Sequence, residues 1–213
     1  MLRPIVIVHH LIWTVYGFWL PNDPRGSGSK AIASDVIAEL GALHFGRKRV
    51  QPPGKQVRRF YEEAAPLLRH QLLSLTEADR AAIANAFADT VALHRYTCYA
   101  CAVMPDHVHL LIRKHKHTAE EMMENLKEAS RLRLSILRLR PPNHPVWTGG
   151  TGWKVFLDTP DDIRRTIPYI EANPTKMGMQ AHTYVFVKAY DGWPLHEGYN
   201  PRSPYARRLR GEC

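Results

Sequence analysis

An α+β fold, built as an antiparallel sheet with helices on one face, follows from three features of this 213-residue sequence. Short apolar runs that alternate in twos mark strands, and longer runs repeating every three to four residues mark the helices between them. The tightest link, Met104-Pro105-Asp106-His107, has proline at the second position of a type I turn and joins two strands as a hairpin. The length suits one elaborated domain, read as residues 1–180, followed by a C-terminal arm or tail over 181–213.

The first strand spans Ile5 to Trp13, rich in Val, Ile and aromatic residues. "LPNDPRGSGSK", residues 20–30, is a loop by its Pro, Gly and Ser content, and it opens a helical insertion over about 20–73. Within that insertion the spacing predicts helices over Ser34–Phe45 and Val57–Leu73. The next helix starts at the N-cap Thr76, with Asp79 in its first turn and Ile83, Phe87, Val91 and His94 forming one stripe.

Residues 96–103 and His107 to Arg113 are the two hairpin strands. Thr118 and Glu121 then make a capping box for a helix whose inner stripe includes Met122, Leu126 and Ala129, with Lys127, Arg131 and Arg138 on its other side. "PPNHP" stops it, and "GWKVFLD", residues 152–158, is the fourth strand. Thr159 as N-cap, Pro160 at the first helical position and acidic Asp161 and Asp162 begin the last core helix near residue 160. Strand, helix, strand, strand, helix, strand, helix is the order of a ferredoxin-like split βαβ sheet with one added helix. Beyond residue 180 the chain is rich in Pro, Tyr and Arg and reads as an irregular, partly disordered tail.

Lys plus Arg number 29 against 20 Asp plus Glu, and the resulting +9 favours a polyanionic partner, nucleic acid ahead of a membrane surface. "IVIVHHLIWTVYGFWL" is shorter than the ~20 apolar residues of a membrane helix. His9 and His10 also interrupt it, so neither a membrane span nor a signal peptide is expected. Cys98, Cys101 and Cys213 are an odd number without a disulfide-scaffold pattern, which fits a reducing, cytoplasmic setting.

The hairpin strand "HVHLLIR" carries the clearest chemistry. His107 and His109 are two residues apart, so they share one face about 6.6 Å from each other, near enough to converge on a cation. The competing reading is that the rings only pack and hydrogen-bond beside the sheet. Cys98 and Cys101 invite a zinc site with these histidines, but in an unbroken strand residues three apart point to opposite faces, so small buried thiols are the expected reading.

"VMPDHVHLLI", residues 103–112, resembles the histidine–hydrophobe–histidine (HUH) signature of the single-tyrosine transposases, and "YIEANPTKMG", residues 169–178, resembles their tyrosine-helix motif. "TVYGFWLPNDPRG", residues 14–26, and the stretch 152–174 are also similar to that family, which includes the REP-associated tyrosine transposases and related bacterial transposase-like proteins. The resemblance spans the first strand and most of residues 96–178. It implies a ferredoxin-like core that cleaves and rejoins single-stranded DNA through a 5′-phosphotyrosine. By motif position it implies His107 and His109 as metal ligands, Tyr169 as nucleophile and Asn173 as the residue completing the metal site, with Mg2+ or Mn2+ in use and zinc able to occupy it.

Tyr169 and Asn173, four residues apart, would share a helix face. Pro168 and Pro174 strain that alignment, and a kink or restart of the helix is expected at Pro168. For the DNA surface the candidates are Lys127, Arg131 and Arg138 on one helix with Arg164 and Arg165 on another, and Tyr16 and Trp19 for stacking unpaired bases, while Trp13 is expected in the core. Arg207, Arg208 and Arg210 could add a nonspecific contact. The resulting expectation is a metal-dependent DNA nicking and joining enzyme acting on single-stranded or hairpin DNA as a monomer or homodimer. The alternatives are a noncatalytic repeat-DNA binder and a replication-initiator or relaxase-type nickase.

Overall fold

The computed structural model describes residues 5–139, 143–150 and 152–212. Four strands, β1 (Val8–Thr14), β2 (Cys98–Val103), β3 (His107–Arg113) and β4 (Trp153–Leu157), form one sheet in the order β2-β3-β1-β4. Every neighbouring pair is antiparallel. The central pair is β1 and β3, with Leu11 opposite Leu110 and Ile12 opposite His109.

The two long helices begin where their caps predict. In α3 (Glu77–His94) and α4 (Ala119–Ile136), Thr76 and Thr118 each close a full capping box, with Asp79 and Glu121 respectively. Ile83, Phe87 and Val91 of α3 join Met122, Leu126 and Leu134 of α4 in the main core, against Leu11, Trp13, Val108, Leu110 and Ile112 of the sheet. Trp13 is therefore a core residue, as expected.

The α+β class and the four-stranded antiparallel sheet agree with the sequence reading, but the helices do not all lie on one face. Helix α5 (Pro160–Glu171) packs through Ile163, Ile167 and Ile170 against Val8, Tyr99 and Leu111, which point the other way from β1, β2 and β3. The cause is strand alternation: Val8 and Leu111 make the second face of the sheet apolar enough to require a cover. Helix α5 also continues through Pro168 instead of restarting there. The break comes at Ala172, after which Asn173–Lys176 forms the single turn α6.

The insertion is less helical than its spacing suggests. Only one turn, α1 (Asp35–Ala38), forms in its first half, and α2 (Gly54–Ala64) continues into a 3-10 turn at Ala65–Leu67. Phe60, Tyr61 and Ala64 of α2 bury Leu20 in a separate small core. The C-terminal stretch, including α7 (Pro204–Leu209), is irregular but docked. Trp193 is buried in the α5-side core, Arg113 stacks over it at 4.3 Å, and the Lys188 amide donates to the Cys98 carbonyl at 2.8 Å along the edge of β2. Cys213 and the prolines at 141 and 142 lie outside the described residues. Among the described residues no helix is long and apolar enough to cross a membrane.

Candidate active site

Alternation along β3 sends Val108, Leu110 and Ile112 into the α3–α4 core and leaves His107 and His109 on the α5 face. Neighbouring β1 contributes His10 to the same face. Its Nε2 lies 2.9 Å from His109 Nδ1, and both rings are buried. His107 Nδ1 lies 2.6 Å from Asp106 Oδ1, in the turn before β3. His107 and His109 therefore each have Nδ1 engaged and, among the described residues, no hydrogen bond at Nε2, the arrangement in which a second partner would fix the orientation of a ligating imidazole. The two ring centres are 4.8 Å apart. Two imidazoles bound to one cation at ~2 Å place their centres about 5 Å apart.

Burial, reinforced by the neighbouring His107 and His10 and by the charges of Arg47 and Lys176, holds the His109 pKa well below its ordinary value. Burial likewise lowers His10 to about 4. Both rings are neutral at pH 7, the form in which imidazole ligates metals.

Helix α5 delivers Tyr169 to this face. Its ring stands nearly perpendicular to His109 and His10, 5.9 and 6.3 Å away between centres, and it is 40% exposed, open to a substrate. Lys176 Nζ lies 4.9 Å from the Tyr169 ring centre. The Asn173 amide nitrogen donates to the Tyr169 and Ile170 carbonyls at 2.9 and 3.3 Å, so only its Oδ1 remains as a ligand atom. Among the described residues, no three or more His, Cys, Asp or Glu side chains are grouped to hold a metal. A cation here would rest on two imidazoles, with an amide oxygen, solvent or phosphate completing its shell.

The zinc alternative fails on geometry. A bulge between Cys98 and Ala100 brings both thiols to one face, but it is the α3–α4 face, opposite His107 and His109. Burial pushes Cys98 up to about 12 and Cys101 well above its usual value, as expected of inert core thiols.

The expected basic surface is divided by the sheet. Helices α4 and α5 lie on opposite faces, so Lys127, Arg131 and Arg138 cannot form one track with Arg164 and Arg165. Lys127 is not on a surface at all. It is buried, and its ammonium donates to the Thr148 and Gly150 carbonyls at 3.2 and 3.1 Å, because the inner stripe of α4 runs through Met123, Lys127, Ser130 and Leu134. Arg131 pairs with Glu128, Arg164 with Asp161 and Arg165 with Asp162 within their own helices, while Arg138 is exposed just beyond α4. Tyr16 packs between His70 and His144 beside the α3–α4 core. Trp19 lies under the Arg25 guanidinium, 4.0 Å from its ring centre. In the tail, Arg210 pairs with Glu212.

The sequence reading missed His10, Asp106, Arg25, Arg47 and Lys176. His10 had a signal: two adjacent histidines in a strand must face opposite sides, so one of them had to join the face of His107 and His109.

Comparison with known proteins places the central part of the chain. No curated protein matches it. A REP-associated tyrosine transposase solved with a REP hairpin aligns over 84% of this chain and 74% of its own, at 11% identity and a TM-score of 0.46. A Deinococcus radiodurans R1 structure described as a "putative transposase" aligns over 85% and 95%, at 16% identity and a TM-score of 0.35. The family model for IS200-like transposases matches residues 65–155, a span that includes both motif histidines and stops short of Tyr169. Over that span the chain is similar to the IS200-like transposases.

Proposed function

We propose that this protein cuts and rejoins single-stranded DNA, with Tyr169 as the nucleophile. The observation that carries the reading is the convergence, on one face of the sheet, of two imidazoles that each have Nε2 uncommitted with an exposed phenol about one ring's width away. His107 and His109 would hold a divalent cation, magnesium or manganese by the N and O character of the set, with Asn173 Oδ1 as the protein group able to join them. Such a cation would polarise the scissile phosphate and stabilise charge on the leaving oxygen.

The remaining work belongs to the side chains. The Tyr169 oxygen attacks phosphorus, the bond to the 3′ oxygen breaks, the phenolic proton passes to solvent, and the departing 3′ oxygen takes up a proton. A phosphotyrosine on the 5′ side keeps the ester bond energy, so a 3′ hydroxyl can reverse the step without ATP. Lys176 and Arg47, whose charges act on His109, are the phosphate contacts nearest this chemistry. Arg131, Arg138, Arg164, Arg165 and Trp19 are available for more distant contacts, since exposed ion pairs of the kind Arg131, Arg164 and Arg165 make are worth only about 0–1 kcal/mol and exchange readily.

The test is incubation of the purified chain with end-labelled single-stranded hairpin oligonucleotides and Mn2+, followed by denaturing electrophoresis. A covalent protein–DNA band that disappears in Tyr169→Phe is expected. Tight hairpin binding with no band under any metal would instead identify a noncatalytic binder.

A further inference from the structure

Arg25 ties the insertion after β1 to the turn that precedes His107. Asp106 Oδ1 accepts from His107 Nδ1, and its other oxygen lies 4.0 Å from Arg25 NH1. The backbone of Asp106 is also fixed, because its carbonyl accepts the Val15 amide at 2.9 Å at the end of β1. Arg25 in turn is held at three other points. It forks onto Asp23 at 3.1 and 2.8 Å, donates to the Tyr61 hydroxyl at 3.0 Å, and stacks on Trp19 at 4.0 Å.

Asp23 is fully buried and also accepts from the Tyr61 hydroxyl, so helix α2 is tied to the same cluster. The close approach of this loop to residues 44–48 requires Gly26. Its φ is +95°, and a Cβ there would meet the Gly46 carbonyl oxygen at 1.8 Å.

We propose that Asp106 and Arg25 are positioning residues for His107, so that the insertion forms the outer wall of the metal site. The inference rests on the nicking reading above. Asp106 selects the tautomer with the proton on Nδ1 and turns Nε2 outward, and Arg25 prevents the carboxylate from rotating away. His109 is held differently, by the neutral ring of His10 on β1. The two rings thus take their hydrogen bonds from different parts of the chain, His109 from a neighbouring strand and His107 from a turn that Arg25 ties to the insertion.

Two measurements on the full chain test this. The first is Mn2+ affinity by calorimetry. Asp106→Ala should weaken binding about 10–100-fold. Asp106→Asn keeps an acceptor at the same place and should recover part of that loss, and Arg25→Gln should fall between wild type and Asp106→Ala. Arg59→Ala, an exposed pair on α2, should change nothing.

The second needs no metal and reads the His107 tautomer from its ring nitrogen shifts by NMR. Wild type should show the proton on Nδ1, and Asp106→Ala should shift the population toward Nε2. Should Asp106→Ala not fold, Arg25→Gln and Asp106→Asn carry both measurements. Folded variants with wild-type affinity and an unchanged tautomer would overturn the positioning role while leaving the metal site standing. A wild-type chain that binds no Mn2+ and forms no DNA adduct would overturn the nicking reading and this inference with it.

Discussion

The two faces of strand β3 put different chemistry on adjacent residues. Val108, Leu110 and Ile112 are completely buried under α3 and α4, whereas His107 and His109, one step away each time, face each other, the Asp106 carboxylate, His10 and the half-open Tyr169 under α5. The first face is closed mainly by apolar burial, although His9, Lys127 and Ser130 are buried there too. The second mixes the histidines with apolar residues such as Ala102 and Met104, and at its far end Val8, Tyr99 and Leu111 receive Ile163 and Ile170, which anchors α5 while its C-terminal part presents Tyr169. The lesson is a division of labour within one sheet: stability comes from one surface, and the candidate chemistry occupies the incompletely packed end of the other.

That division can be broken most directly by mutating neighbours on β3. Leu110→Ala should cost about 2–5 kcal/mol of stability, from lost burial plus the cavity left behind, while the folded fraction still binds Mn2+ as wild type does. His109→Ala should lose Mn2+ binding at a smaller cost in stability. Urea titrations and metal calorimetry on the two variants read both quantities, and loss of metal binding in folded Leu110→Ala would show that the faces are not separable.

A second test uses the histidine on the other face. His9 is buried beside Phe156 with neither ring nitrogen hydrogen-bonded, and burial, with the Lys114 charge, lowers its pKa to about 4. The unfolded chain takes up this proton near pH 6.5 and the folded chain does not. Stability from this group is therefore complete above pH 6.5 and is lost as the pH falls toward 4, by roughly 3 kcal/mol at most. The gap between denaturation midpoints at pH 7.5 and 5 should narrow in His9→Phe, the remainder coming from His10 and His109, whose pKa values burial also lowers, and an unchanged pH slope would contradict the assignment.

A third comparison sets two lysines against each other. Lys127→Met should destabilise by about 1–3 kcal/mol through the Thr148 and Gly150 carbonyls it leaves unpaired, without altering the salt dependence of DNA binding. Lys176→Ala should do the reverse, leaving stability within about 0.5 kcal/mol and lowering the slope of log affinity against log salt by about 1. The smallest effect belongs to Arg131→Ala, whose exposed pair with Glu128 should change the unfolding free energy in a urea titration by no more than about 0.5 kcal/mol.

The helix caps and strand periods were legible because they are local. Thr76, Thr118 and Thr159 each accept from the amide three residues on, in a pattern written in consecutive residues. The His-x-His pair was legible for the same reason, since strand alternation alone puts both rings on one face. Lys127 was misread because helical spacing assigns a residue to a stripe but does not say how wide the buried stripe is. Arg25 was invisible because its partners, Asp23, Tyr61 and Asp106, meet only after the insertion folds back on the hairpin.

By itself, then, the sequence determined a basic balance, which is a count over the chain, and the alternating strands, the capped helices and the histidine pair, which depend on neighbours within about one helical turn. Only the tertiary structure decided that α5 lies across the histidine face, that His10 and Asp106 fix the two imidazoles, and that the sheet separates the arginines of α4 from those of α5. Those outcomes depend on which of two sheet faces each long connection crosses. That choice is made by the sum of apolar area covered on either side, and no short stretch of residues records it.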